Sequence, residues 1–108
     1  MHTLTLPEPI AEYFASEHDP EALGQCFAAN AVLKDDGHAY IGSDSIKAFM
    51  AAASAKYNAT TVPFAVKDED GFHVVRAKVT GNFPGSPANL SYRFGLERGL
   101  IESLEITV

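Results

Sequence analysis

Residues 23–42 read LGQCFAANAVLKDDGHAYIG, and this stretch decides the fold. Its first part closes a short helix with Leu23, Cys26 and Phe27 on one face. Ala31 to Asp35 reads as a short strand that finishes on two carboxylates, Asp35 and Asp36. Asp36-Gly37 is a turn dipeptide of the kind that joins two antiparallel strands. His38 to Ile41 returns as a second short strand and stops at Gly42. One reversal therefore brings Asp35, Asp36, His38 and Tyr40 together at the edge of the core.

Upstream, Thr5-Leu6-Pro7-Glu8 reads as a capping box that opens a first helix, with Ile10, Tyr13 and Phe14 following at helical spacing. Asp19-Pro20-Glu21 opens a second helix: a capping side chain, a proline at the first helical position and an acid facing the helix dipole. Asn30 is its expected end. Downstream, Ser43 or Asp44 caps a third helix whose apolar face is Ile46, Phe49, Met50, Ala53 and Tyr57.

Beyond Asn58 the period changes from helix to strand. Thr61 to Lys67 is one strand, with Pro63 marking an edge or a bulge. Asp68 to Gly71 is a charged turn. Phe72 to Thr80 sends Val75, Ala77 and Val79 to one side, and Ala88 to Glu97 alternates with Leu90, Tyr92, Phe94 and Leu96 inward. Arg98-Gly99 turns the chain into a last strand with Leu100, Leu104, Ile106 and Val108 on one face. Helices followed by hairpin-linked strands predict an α+β fold: three N-terminal helices packed in a strongly curved, mostly antiparallel mixed sheet, a cone-shaped α+β barrel. The open end of such a cone is a concave site for a small molecule.

The 108 residues make one domain, 1–108, long enough for a core of its own. A net charge of −6 argues against a nucleic-acid partner or an anionic membrane surface. No apolar run approaches the ~20 residues that cross a bilayer. Met1-His2-Thr3-Leu4-Thr5 has neither the basic nor the apolar part of a leader. The single Cys26 reads as a small buried hydrophobe and, with no disulfide to make, points to the cytoplasm.

Asp35 is the candidate general base, since proton abstraction beside a carbonyl needs a carboxylate held in a partly dry pocket. The competing reading makes Asp35 and Asp36 a solvated turn before Gly37. Tyr13 is a core tyrosine or a hydrogen-bond donor to the ligand. The pocket wall is expected to include Phe14, His38, Tyr40, Phe49 and Met50 on one side, and Tyr57, Leu90, Tyr92 and Phe94 on the other. Glu102 interrupts the last apolar face and is expected in water. The four histidines are scattered, no phosphate loop or nucleophile triad is present, and neither metal nor cofactor is expected.

Asp19-Pro20-Glu21-Ala22-Leu23, the run Cys26 to Val32, Tyr40-Ile41-Gly42 before Ile46 and Phe49, and Tyr92-Arg93-Phe94 leading to Leu104-Glu105-Ile106 carry a resemblance. The chain resembles the nuclear-transport-factor-2-like superfamily, in the branch of SnoaL-like polyketide cyclases and ketosteroid isomerases. In ketosteroid isomerases a first-helix tyrosine donates to the developing enolate, and Tyr13 stands at that place. Their base is an aspartate eight residues after the second-helix phenylalanine, which here is Asp35 counted from Phe27. Their second oxyanion donor, an aspartic acid, falls on Leu90. The resemblance thus implies an isomerase, cyclase or dehydratase acting through an aspartate base on a hydrophobic carbonyl compound. The alternative is a ligand-binding or protein-association domain without chemistry, its pocket filled in the last case by Phe49, Met50, Phe64 and Phe94. The resemblance also implies a homodimer through the outer sheet face, which carries Arg76, Lys78, Asn89, Ser91 and Arg93.

Overall fold

A computed structural model describes residues 4–108; the reading of Met1, His2 and Thr3 as part of a non-leader start lies outside it. The order is α1 (Glu8–Ala15), α2 (Pro20–Gly24), β1 (Phe27–Asp35), β2 (His38–Ile41), α3 (Ser43–Tyr57), β3 (Thr60–Glu69), β4 (Phe72–Thr80), β5 (Ala88–Glu97) and β6 (Leu100–Thr107). The six strands form one sheet in the order β2-β1-β6-β5-β4-β3. All neighbours are antiparallel except β1 and β6, which run parallel. The α+β architecture expected from the sequence is therefore present, with one refinement: the cone stays open, because β2 and β3 are both edges.

Three two-residue turns build the hairpins: Asp36-Gly37, Asp70-Gly71 and Arg98-Gly99 all have positive φ at both positions. Such turns match the right-handed twist of the strands they join, and the glycine makes the second position easy. The turn at residues 70–71 is shorter than the sequence suggests, because Asp68 and Glu69 still pair with His73 and Phe72. Pro63 lies on edge strand β3, where its missing N–H costs no ladder bond, and a bulge follows it at Phe64.

Several local expectations are overturned. α1 starts at Glu8 with Pro7 as its cap residue and no side-chain cap, so Thr5 to Glu8 is not a capping box. Leu6 precedes a proline, which pushes it into extended backbone and keeps the helix from starting sooner. The cap at Asp19 does form, accepting from the Ala22 N–H at 3.2 Å. However, α2 ends at Gly24 rather than Asn30, and Phe27 already belongs to β1, opposite Ile101. Strand pairing overrides helix propensity there. Cys26 is buried between the two elements, and its thiol donates to the Ala22 carbonyl at 3.5 Å. Burial pushes that thiol up from its usual range.

α3 is capped by Gly42, not by Ser43 or Asp44. The Gly42 N–H still bonds the Ala31 carbonyl at 2.8 Å, so the chain leaves β2 and enters the helix through one residue at φ 91°. On β6 the inward residues are Ile101, Leu104 and Ile106, while Leu100 faces out. Gly95 pairs with Ser103 but Leu96 pairs with Ile101, so Glu102 is an extra residue in a bulge that inverts the alternation. Glu102 is exposed, as expected.

The core lies between the sheet's inner face and the helices. Ile10, Leu23, Leu33, Ile46, Phe94 and Ile101 are almost fully buried. No described helix is long and apolar enough to cross a membrane.

Candidate functional site

The inner face of the sheet is sealed at one end and open at the other. At the open end α1 and α3 diverge from the strands and leave a cavity of about 660 Å³. α1 supplies Tyr13 and Phe14. α3 supplies Phe49, Met50, Ala53 and Tyr57, its long face that the core leaves only half-buried. The sheet supplies Asp35 and His38 from the first hairpin, Tyr40 beside them, and Leu90, Tyr92 and Ile106 from β5 and β6.

Of the residues expected at the site, Asp35, Tyr13, Phe14, His38, Tyr40, Phe49, Met50, Tyr57, Leu90 and Tyr92 line this one cavity. Phe94 does not. It is fully buried in the core, against Tyr13 and Phe14 at ring distances of 5.4 and 5.9 Å. Phe64, expected to help fill the pocket in the protein-association reading, is half exposed at the β3 bulge and does not line the cavity.

Asp35 is the last residue of β1, paired across the hairpin with His38 and across the parallel ladder with Ile106. It is half-buried. Desolvation raises its carboxyl above the usual carboxylate range, the Asp36 carboxylate adds to this, and His38 partly opposes it. It takes part in no ion pair among the described residues. Asp36 is exposed on the turn at φ 52°.

Tyr13 and Tyr92 form the cavity floor. Each is 5% exposed, and their ring centroids stand 6.2 Å apart. Burial raises Tyr13 well above the phenol range, with Tyr92, Asp35 and Glu17 adding to it. Burial pushes Tyr92 up to about 12, opposed in part by the neighbouring Thr61 side chain. Both phenols are therefore neutral donors at neutral pH. None of the side-chain hydrogen bonds among the described residues involves the Tyr13 hydroxyl. On the facing wall, Tyr40 stacks on Phe49 at 4.2 Å.

Glu17 is a further carboxylate in the cavity beside Asp35 and Asp36, and reading the sequence missed it. Both of its oxygens accept from the Thr61 N–H at 3.0 Å, so it ties the turn after α1 to edge strand β3. Its neighbour His18 reaches Ser54 on α3 at 3.1 Å through Nδ1 and lies 3.7 Å from Glu17 through Nε2. The available signal was its spacing, four residues after Tyr13 and so on the same face of the turn. Among the described residues, no three His, Cys, Asp or Glu side chains converge as metal ligands would.

The family profile of the SnoaL-like domain matches residues 10–99. A Sinorhizobium meliloti protein provisionally assigned as a polyketide cyclase is 36% identical, with a TM-score of 0.90 over 94% of this chain and 95% of that one. A Catenulispora acidiphila protein with a ketosteroid isomerase-like fold, solved in complex with trimethylamine, is 21% identical, with a TM-score of 0.83 over 96% and 87% of the two chains. A provisionally assigned SnoaL-like polyketide cyclase of Jannaschia is 17% identical, with a TM-score of 0.77 over 99% and 90%. No curated protein matches. With a profile that spans most of the chain and a relative of this identity along nearly its whole length, the protein belongs to the SnoaL-like domain family.

Proposed function

We propose that the protein binds a hydrophobic carbonyl compound in this cavity and moves a proton on it, with Asp35 as general base and Tyr13 as donor to the developing enolate. The observation that carries the reading is the setting of Asp35: a half-buried carboxylate at a cavity wall, raised above its usual range and in no ion pair among the described residues. Such a carboxylate is a stronger base than a solvated one. Asp35 would take the proton from the carbon beside the carbonyl. The C–H electron pair passes to the carbonyl oxygen, and Tyr13 hydrogen-bonds that oxygen. Return of the proton to another carbon completes an isomerisation; attack of the enolate on a second carbonyl completes a cyclisation, and loss of a β-hydroxyl a dehydration.

The test is deuterium wash-in. Hydrophobic ketones are incubated with the protein in D₂O and followed by proton NMR. Exchange beside the carbonyl is expected with the native chain and is expected to vanish in Asp35→Asn. The second reading is binding without chemistry, favoured by Leu90, an apolar residue where the resemblance puts a second acid. Ketones that bind while neither variant exchanges them would establish it.

The same reading has two copies meeting through the outer sheet face. Its support is the half-exposed Val62 and Phe64 beside an organised polar patch. In that patch Arg76 donates to Ser91 at 3.0 Å, and Arg93 donates to Glu69 at 3.1 Å while lying over the Phe72 ring. Sedimentation equilibrium checks it, a single-chain mass counting against it. The free Cys26 supports the cytoplasm as the compartment, which cell fractionation checks.

A further inference from the structure

We propose that the cavity selects ligands that carry a protonated amine or a quaternary ammonium group on a hydrophobic body. The inference rests on the cavity being the ligand site and narrows what enters it.

The cavity is walled by three carboxylates, Glu17, Asp35 and Asp36, against one lysine, Lys56, and two imidazoles, His18 and His38. Glu17 and Asp35 both line it, and each phenol of the floor, Tyr13 and Tyr92, feels both carboxylates. The one lysine of the wall, Lys56, is exposed and lies over the Tyr57 ring at 5.1 Å. A neutral ligand that displaced water here would leave the Asp35 carboxylate drier and still unpaired, which costs free energy. An anion would be repelled. A cation restores the lost solvation by direct attraction, which is stronger in a partly dry cavity than in water.

The walls suit the same group. Aromatic faces attract cations through the ring quadrupole, most strongly when water is excluded. Tyr13, Phe14 and Tyr92 stand 5.0–6.2 Å apart on one side, and the Tyr40–Phe49 stack faces the cavity on the other. A further observation is independent of charge. The Tyr13 side chain is 5% exposed and lines the cavity, yet its hydroxyl meets no partner among the described residues. That hydroxyl opens on the cavity, since no side-chain oxygen or nitrogen sealed from solvent lacks a partner among the described residues, and so it is free to bond a ligand. A ligand ammonium N–H can donate to that oxygen and to Asp35 at once, and a ligand carbonyl can accept from it. A compound with both groups uses the whole floor.

The experiment compares two molecules of one shape. Benzyltrimethylammonium and its carbon isostere neopentylbenzene are titrated into the full chain at low ionic strength and neutral pH, followed by amide NMR shifts. The ammonium is expected to bind about tenfold tighter, the size of a desolvated cation–aromatic and carboxylate contact. Added salt should reduce the preference. Asp35→Asn and Glu17→Gln should each cut it several-fold while leaving the isostere unchanged. If Glu17→Gln loses its fold with its bond to Thr61, Asp35→Asn alone decides. Equal or tighter binding of the isostere, or no binding of either, overturns the proposal. Ketone exchange that proceeds without ammonium preference would leave the proposed reaction standing and sink this inference; ammonium preference without ketone exchange would do the reverse.

Discussion

Tyr92 and Phe94 stand two residues apart on β5, both inward, with ring planes within 14° of each other and centroids 6.4 Å apart. They nevertheless belong to different halves of the molecule. Phe94 has Tyr13 and Phe14 against its ring and no exposed surface. Tyr92 has one side on the cavity, whose wall it shares with Thr61. The difference arises from what covers the sheet. The first half is filled by Ile10 of α1, Leu33 of β1 and Ile101 of β6, all fully buried. α3 covers the second half only at Ile46, and its remaining apolar face becomes a wall. Strand alternation decides which residues point inward; helix placement decides which of them stay dry. The sealed half holds the core, and the open half holds the cavity to which the proposed chemistry is assigned.

Mutations should separate the halves. The largest effect on stability is expected from Phe94→Ala, about 3–5 kcal/mol for a fully buried aromatic, read by urea denaturation. Phe49→Ala, in the half-buried wall, should cost less than half of that. Equal costs would mean the two regions are one core. On activity, Asp35→Asn should lower ketone exchange about 10²–10⁴-fold, the usual contribution of a positioned base, while binding changes little.

Asp35 also gives stability a pH dependence of known sign. Its folded value is raised, so between about the usual 3.8 and that raised value the folded chain holds a proton that the unfolded chain releases. The stabilising effect is complete below the unfolded value and is lost as pH rises through the folded one. Urea midpoints should therefore fall across this window in the native chain. In Asp35→Asn that contribution disappears, and the variant should be the more stable of the two at neutral pH. The smallest effect is expected from Tyr13→Phe. Its hydroxyl bonds no side chain or backbone group among the described residues, so stability should move by less than about 1 kcal/mol, while ketone exchange falls.

Much of this arrangement is legible in local signals. Asp36-Gly37 and Arg98-Gly99 announce their hairpins, Asp19-Pro20 announces α2, and the alternation of Ala88 to Glu97 reads correctly along its length. The placing of Tyr13 and Asp35 against one cavity follows from the helix face and the strand end. What local signals do not carry is tertiary. The bulge at Glu102 exchanges Leu100 for Ile101 in the core, and nothing near residue 102 records that Gly95 will face Ser103. α2 stops at Gly24 because Phe27 is claimed by a strand that lies 74 residues further on, at Ile101. Glu17 looks like an ordinary surface acid until β3 brings the Thr61 N–H to it. Phe94 and Tyr92 share one pattern, and only the cover above them tells a core residue from a wall residue.

The setting of Asp35 is the claim on which the reaction rests, and it can be measured without a substrate. A carbon-13 NMR titration of the Asp35 carboxyl, assigned by comparison with Asp35→Asn, reads its pKa directly. A midpoint above the 3.8 of a free aspartate is expected, with the upward shift set chiefly by burial at the cavity wall. A midpoint at or below that value would mark Asp35 as a solvated turn residue and would contradict its role as the base.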